Sequence, residues 1–182
     1  MTKSKTSTPT QSSRARETQT NRVLGIDPGY DRLGWAVLEK TSGKETVLAS
    51  GTIETDKKAA GALRLLTVGD GLRDIIAEYS PTALSIEKLF FNQNVTTGIK
   101  VAEARGVVLL EAARGGLSVY EYSPQDVKIA VTGYGKASKT DVERMVEKLV
   151  KLPLKKRRLD DELDAVALGI THLASAKTLV YK

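Results

Sequence analysis

Asp27, Glu87, Asp161 and Asp164 are carboxylates whose placement along the chain suits the binding of divalent cations. Asp27 closes the apolar run "RVLGID" and stands immediately before Pro28-Gly29. A carboxylate there is either a turn former bonding its own backbone or a metal ligand fixed at a strand end. Glu87 ends a second apolar run, "ALSIE", in the same way. Asp161 and Asp164 are three residues apart at the start of a helical stretch, so both project from one face of its first turn. The other reading of Asp160 to Asp164 is negative charge complementing a helix N-terminus. A cluster of acids is costly unless something positive sits among them. Lys or Arg would serve, but oxygen donors without cysteine or clustered histidine suit magnesium or manganese. Acids ending two separate strands, joined by two more on a helix, favour the metal reading.

Such a cluster needs a scaffold that brings distant segments together. Residues 22–27, 33–40 and 46–54 read as three antiparallel strands, with "TSGKE" as the hairpin link between the second and third. The spacing predicts a helix over 61–79 with Leu65, Leu72, Ile75, Ile76 and Tyr79 on one face, and a buried strand over 83–87. A long helix follows over 95–114, with Ile99, Ala102, Gly106, Val107 and Leu110 facing inward. Val101, Ala104, Val108 and Ala112 fall off that inner face at helical spacing. "LSVYEY" is the fifth strand, and Ser123-Pro124 opens a helix that Gly133 ends. Thr140 with Glu143 forms a capping-box pattern for the next helix, and the last runs from near Leu159 to about Lys177. The expected architecture is α/β: a mixed five-stranded sheet with helices on both faces, and a site at the carboxyl ends of the first and fourth strands.

The chain has 182 residues, 41% of them hydrophobic, which suits one globular domain over residues 22–182. Its net charge is +6, of which Lys3, Lys5, Arg14, Arg16 and Arg22 against Glu17 place +4 in residues 1–22. Residues 1–21 are rich in Ser, Thr and Gln and nearly free of aliphatic side chains, so they read as a disordered basic arm that either solubilises the chain or holds phosphates. The absence of cysteine excludes disulfides, a cysteine-based zinc site and a thiol nucleophile. No apolar run approaches the roughly 20 residues that span a bilayer, and no signal-peptide core opens the chain. The protein therefore reads as soluble and intracellular, without a membrane partner.

The segments "GIDPG", "SIEKLFFNQN", "EARGVVLLEAA", "YSPQDVKIAVTGYGKASKTDVERMV" and "DELDAVALGITH" carry a more specific signal. In unbroken order over about residues 22 to 173, they resemble the RuvC family of Holliday junction resolvases, dimeric nucleases of the ribonuclease H-like superfamily. The resemblance implies a ribonuclease H-like fold. It also implies an endodeoxyribonuclease that resolves four-way DNA junctions in recombination and repair, by paired, metal-dependent phosphodiester hydrolysis. By position the family's catalytic, metal-binding acids fall on Asp27, Glu87, Asp161 and Asp164, which leaves Asp160 out. The implied cofactor is Mg2+, two ions per active site, with Mn2+ as an alternative; Asp27 is the candidate to bridge them.

Other residues gain DNA-binding roles from the same likeness. Phe90 matches an aromatic that stacks at the branch point, against the alternative of core packing. Lys128 and Lys139 match phosphate-holding positions, against the alternative of ordinary solvated lysines. The run "KKRR", Lys155 to Arg158, either follows the DNA backbone or is a solvated face. His172 lies eight residues beyond Asp164, about 12 Å along a helix, and reads as structural or surface. The family implies a homodimer, for which Val101, Ala104, Val108 and Ala112 are the expected shared surface, and cooperation with a branch-migration helicase complex; the intracellular reading makes the expected location cytoplasmic. Leu33 departs from the pattern, standing where Thr is usual, and the basic arm precedes the family's usual start.

Three other functions fit parts of the sequence. A ribonuclease H-like RNA-processing nuclease would lack the Phe90 loop and the paired acids of the last helix. A phosphotransferase of the actin and sugar-kinase type shares the "GID-G" turn but needs two such domains. A non-catalytic junction binder would have lost at least one of the acids.

Overall fold

In the computed structural model, which describes residues 21–89, 95–153 and 158–175, the first apolar run forms β1, Asn21–Asp27, in the middle of a five-stranded sheet. β2, Arg32–Thr41, returns antiparallel to β1, and β3, Lys44–Glu54, pairs antiparallel to β2. The link between β2 and β3 is a turn at Ser42 and Gly43, both at positive φ, as a two-residue hairpin requires. Helix α1, Gly61–Tyr79, leads to β4, Ala83–Glu87, and helix α2, Val95–Arg114, leads to β5, Ser118–Tyr122. β4 runs parallel to β1 and β5 parallel to β4, giving the order β3-β2-β1-β4-β5. Three further helices follow among the described residues: α3, Pro124–Thr132, α4, Lys139–Leu149, and α5, Asp160–Ala174. No described helix is long and apolar enough to cross a membrane.

Strand alternation divides the core into two layers. Leu24, Ile26, Leu33, Val37, Leu84 and Ile86 face α1 and α2, where Val68, Leu72, Val108 and Ala112 cover them. Val23, Ala36, Leu38 and Ala83 face α5, and Val131, Val142 and Val146 of α3 and α4 belong to the same layer. The expected mixed sheet with helices on both faces is thus present. α5 is enclosed on nearly every side: between residues 162 and 171 only Asp164 escapes full burial. Such a helix is hydrophobic almost all round, as its sequence is.

Glycines let α5 lie against the sheet at backbone distance. A Cβ on Gly25 of β1 would run into the backbone of Ala165 and Gly169, and one on Gly34 of β2 into the carbonyl of Asp161. Overpacking of this kind costs about 1–3 kcal/mol, so both positions need a residue without a side chain.

The structure reverses the expected orientation of α2. Ala104, Val108 and Ala112 are 0%, 2% and 2% exposed, whereas Ile99 and Leu110 are 52% and 49% exposed. The reason is that two charged residues share the buried face. Glu111 accepts from Arg73 Nε of α1 at 3.0 Å and from Arg114 Nη1 at 2.7 Å, and Arg105 pairs with Glu121 of β5. Counting Arg105 and Glu111 as solvent-facing turns the helix the wrong way. The cap of α4 is also corrected: Ser138 and Asp141 form the capping box, in place of Thr140 and Glu143. α5 ends at Ala174, short of Lys177.

Candidate active site

Three elements, β1, β4 and α5, carry the four acids to one end of the sheet. Along β1, Val23, Gly25 and Asp27 share the face that meets α5, and along β4, Ala83, Ser85 and Glu87 do the same. Ser85 Oγ donates to the Leu168 carbonyl of α5 at 2.7 Å. Because β1 and β4 are parallel with Ile26 opposite Ile86, Asp27 and Glu87 end side by side. Gly34 of β2 pairs with Asp27 and also backs onto Asp161, so it ties the start of α5 to the end of β1.

The rotation of α5 is fixed by a buried neighbour. Glu162, 2% exposed, accepts from Ser50 Oγ of β3 at 2.6 Å and pairs with Arg158 at 2.5 Å. Arg158 Nη2 also donates to the Pro153 carbonyl at 2.5 Å. With Glu162 committed towards β3, Asp161 and Asp164 come within electrostatic range of Asp27, while Asp160 stays exposed.

The cluster is electrostatically strained. Burial, followed by the charges of Asp164, Glu87 and Asp161, pushes the Asp27 carboxyl up to about 7, with Lys139 opposing. Burial and then Asp164 raise Glu87. Burial also raises Asp164, outweighing its hydrogen bond from Lys139, and Asp161 and Asp160 add to the rise. Burial pulls Lys139 down, but the hydrogen bond to Asp164 and the surrounding acids hold its ammonium above the usual lysine value. Lys139 Nζ lies 3.0 Å from Asp164, and Arg32 Nε donates to Asp161. Among the described residues neither Asp27 nor Glu87 has an ion-pair partner.

No three side chains among the described residues already close on a single point as a filled metal site does. Asp161 and Asp164 are instead turned to Arg32 and Lys139. The donor chemistry nevertheless fits a hard divalent cation: the donors are all carboxylate oxygens, and burial and mutual repulsion destabilise three of them as anions. Asp27, Glu87, Lys88 and Leu89 line a cavity of about 510 Å3. Through Glu87 and Pro124 it adjoins another of about 210 Å3, lined by Lys128, Lys139 and Asp164. The structure thus places Asp27, Glu87, Asp164, Lys128 and Lys139 around these two adjoining cavities, while Asp161 lines a separate cleft with Arg32 and acts on Asp27 through its charge.

Phe90 and Lys155 to Arg157 lie outside the described residues. Arg158, grouped with them in the basic run, is committed to Glu162 inside the fold. His172 is structural: its Nδ1 lies 3.0 Å from the Tyr122 hydroxyl and its ring stacks near Tyr120. Leu33 is fully buried in the layer under α1 and α2, so its departure from Thr is absorbed by the core. Arg32 is the site residue that sequence reasoning missed. Its signal was the two-residue period of β2, which puts it on the same face as Gly34 and hence against the start of α5.

A family model for the crossover junction endodeoxyribonuclease RuvC matches residues 23–172. The RuvC of Roseiflexus sp. (strain RS-1) is 45% identical over 155 residues, which cover 85% of this chain and 92% of that protein. The RuvC of Heliobacterium modesticaldum is 47% identical over 148 residues, covering 81% and 91%. Among solved structures, T. thermophilus RuvC in complex with a Holliday junction substrate is similar with a TM-score of 0.77 and 31% identity, over 84% of this chain and 92% of that one. The yeast mitochondrial Holliday junction resolvase, 12% identical with a TM-score of 0.63, covers 85% of this chain and 78% of its own and shares the fold.

The raised Asp27 has a measurable consequence in metal-free protein. The folded chain holds this proton more tightly than the unfolded chain, so stability falls as pH rises from the ordinary carboxyl value of 3.8 through about 7. Asp27→Asn removes that loss. In chelator, the variant is expected to match the wild type near pH 4 and to melt progressively higher than it as pH approaches about 8. A difference in melting temperature that does not grow with pH would show that Asp27 titrates normally.

Proposed function

The chain belongs to the RuvC family of crossover junction endodeoxyribonucleases, and we propose that Asp27, Glu87, Asp161 and Asp164 carry the hydrolysis by which it resolves four-way DNA junctions. The observation that supports these residues most is their gathering near the carboxyl ends of the central strands, with Asp27 partly buried, under the charges of the other three, and its carboxyl raised to about 7. Asp27, Glu87, Asp161 and Asp164 would hold two divalent cations, Mg2+ or alternatively Mn2+, which when bound would supply activation of the attacking water and stabilisation of the leaving 3′ oxygen. No protein nucleophile is required. Asp27 gives up its carboxyl proton when the site is loaded, since ligands bind deprotonated. Lys139, now on Asp164, and Lys128 in the same cavity hold phosphate oxygens of the strand being cut. Phe90, three residues beyond β4 in the sequence, stacks on a base at the branch point in this reading, a contact that tolerates any sequence.

Two cuts in one junction call for two sites. A two-fold homodimer supplies them, because a junction is itself nearly two-fold symmetric. The face of α2 available for this is the one the fold leaves outside, with Ile99 and Leu110 exposed and open space over Gly106 between them. A branch-migration helicase complex is a further partner on this reading, which sets the protein in the cytoplasm with its DNA. Residues 22–182 act as one nuclease domain, and the arm of residues 1–21 adds positive charge beside it.

Asp27→Asn, Glu87→Gln and Asp164→Asn are each expected to abolish nicking while junction binding survives, because phosphate contacts remain. The assay compares labelled four-way junction, linear duplex and RNA–DNA hybrid, with Mg2+ and with chelator. Near-normal cleavage by any variant removes that residue from the site, and cutting of linear duplex or hybrid contradicts junction selectivity. For the interface, Ile99→Glu combined with Leu110→Glu should give a folded monomer that makes no paired nicks. An intact dimer of that variant in sedimentation would move the interface off α2.

A further inference from the structure

Beside Asp161 lies a cleft of about 570 Å3 whose charged and aromatic lining is Tyr30, Asp31, Arg32, Glu54, Lys57, Lys100 and Asp161. Its wall is rigidly braced. Arg64, 7% exposed, donates from Nε to Thr55 Oγ1 at 2.9 Å, and from Nη2 to the Tyr30 carbonyl at 3.2 Å and to Asp31 Oδ1 at 2.5 Å. The same guanidinium sits 4.1 Å from the centre of the Tyr30 ring, and Lys100 Nζ lies 5.6 Å from it. Asp31 is taken up by Arg64 and, at 3.1 Å, by Lys57. Arg32, the next residue, has Asp161 as its ion-pair partner, and Lys100 has no carboxylate partner among the described residues.

The cleft therefore reaches the four acids at Asp161, with Arg32, Lys57, Lys100 and an aromatic ring set against Glu54 and the already paired Asp31. That combination suits a DNA strand, whose phosphates take the cations and whose bases take the ring. Arg32 is the member that also touches a proposed metal ligand. Its side chain is 39% exposed and that of Asp161 26%, so the pair is only partly shielded and weak, open to exchange for a better partner. A phosphate is such a partner, since a guanidinium binds it through two parallel hydrogen bonds.

We propose that Arg32 is a positioning residue that couples DNA binding to metal binding: held by Asp161 in the free protein, it passes to a backbone phosphate of the strand lying in this cleft, which leaves Asp161 free to ligate. The inference rests on the four-acid reading above. Coupling between two ligands is reciprocal, so DNA raises the affinity for metal by the same factor as metal raises the affinity for DNA. It also gives Arg32 a role different from that of Lys100, which lines the cleft without pairing to an acid.

Arg32→Gln, Arg32→Lys and Lys100→Gln test this in the full chain, with thermal melts confirming the fold of each. Free Mn2+ is followed by electron paramagnetic resonance during titration of protein alone, and junction affinity is measured across salt concentrations with chelator and with Ca2+. Arg32→Gln should bind Mn2+ at least about fivefold more tightly than wild type without DNA, and should lose most of the gain in junction affinity that Ca2+ gives the wild type. Its log-log salt slope should fall by about 1, as the loss of one phosphate contact requires. Arg32→Lys should keep part of the coupling. Lys100→Gln should weaken junction binding and leave Mn2+ affinity unchanged. Unchanged Mn2+ affinity in Arg32→Gln, or an unchanged salt slope, overturns the inference while leaving the four-acid reading intact. Failure of the wild type and every variant to bind Mn2+, with or without DNA, overturns both.

Discussion

The close approach of the α5 backbone to β1 and β2 is the constraint on which the site depends. Gly25 and Gly34 leave no side chain to hold the helix off the sheet, and Gly169 meets Leu38 from the helix side. At that separation the start of α5 falls over the carboxyl ends of the parallel strands β1 and β4. Glu162, bonded to Ser50 and Arg158, then fixes which way the helix is turned. Translation along the sheet and rotation about the helix axis are thus set by different residues. Together they place Asp161 and Asp164 against Asp27 and Glu87.

This closeness has an electrostatic cost that the fold carries rather than removes. Burial and like charge make Asp27, Glu87 and Asp164 poor anions, and Asp27 is raised furthest. Lys139 and Arg32 answer only the two helix acids, through partly exposed pairs of a kind worth about 0–1 kcal/mol. The imbalance is sustained by the two apolar layers on either face of the sheet, which do not depend on the state of the site. A site of this kind favours cations at the acids and phosphate at the released Arg and Lys, which is the combination a metal-dependent nuclease brings together with its DNA.

Much of this was legible in the sequence because local signals agreed with the global fold. "RVLGID" and "ALSIE" are apolar on both faces, as central parallel strands must be, and each ends in its acid. Ser123-Pro124 and Gly133 bound α3 as capping chemistry requires. What misled was charge that the fold buries. Arg105 and Glu111 look like solvent-facing positions of α2, yet they lie inward with Ala104 and Val108, so the faces of that helix were exchanged. The capping of α4 was ambiguous because two overlapping Ser/Thr-x-x-acid patterns compete, and the extended backbone at Ser138 decides between them. Arg32 escaped notice because its partner lies 129 residues away, and only the pairing of β2 with β1 and the packing of α5 join them.

The central claim, that glycine-close packing of α5 builds one cation-binding cluster from Asp27, Glu87, Asp161 and Asp164, is tested most directly by anomalous diffraction from crystals of the protein grown with junction DNA and Mn2+. Anomalous peaks are expected in the space bounded by these carboxylates, with Arg32 and Lys139 turned away from Asp161 and Asp164. Ordered DNA at the carboxyl ends of β1 and β4 with no anomalous peak among the acids, or with peaks elsewhere on the protein, would contradict it.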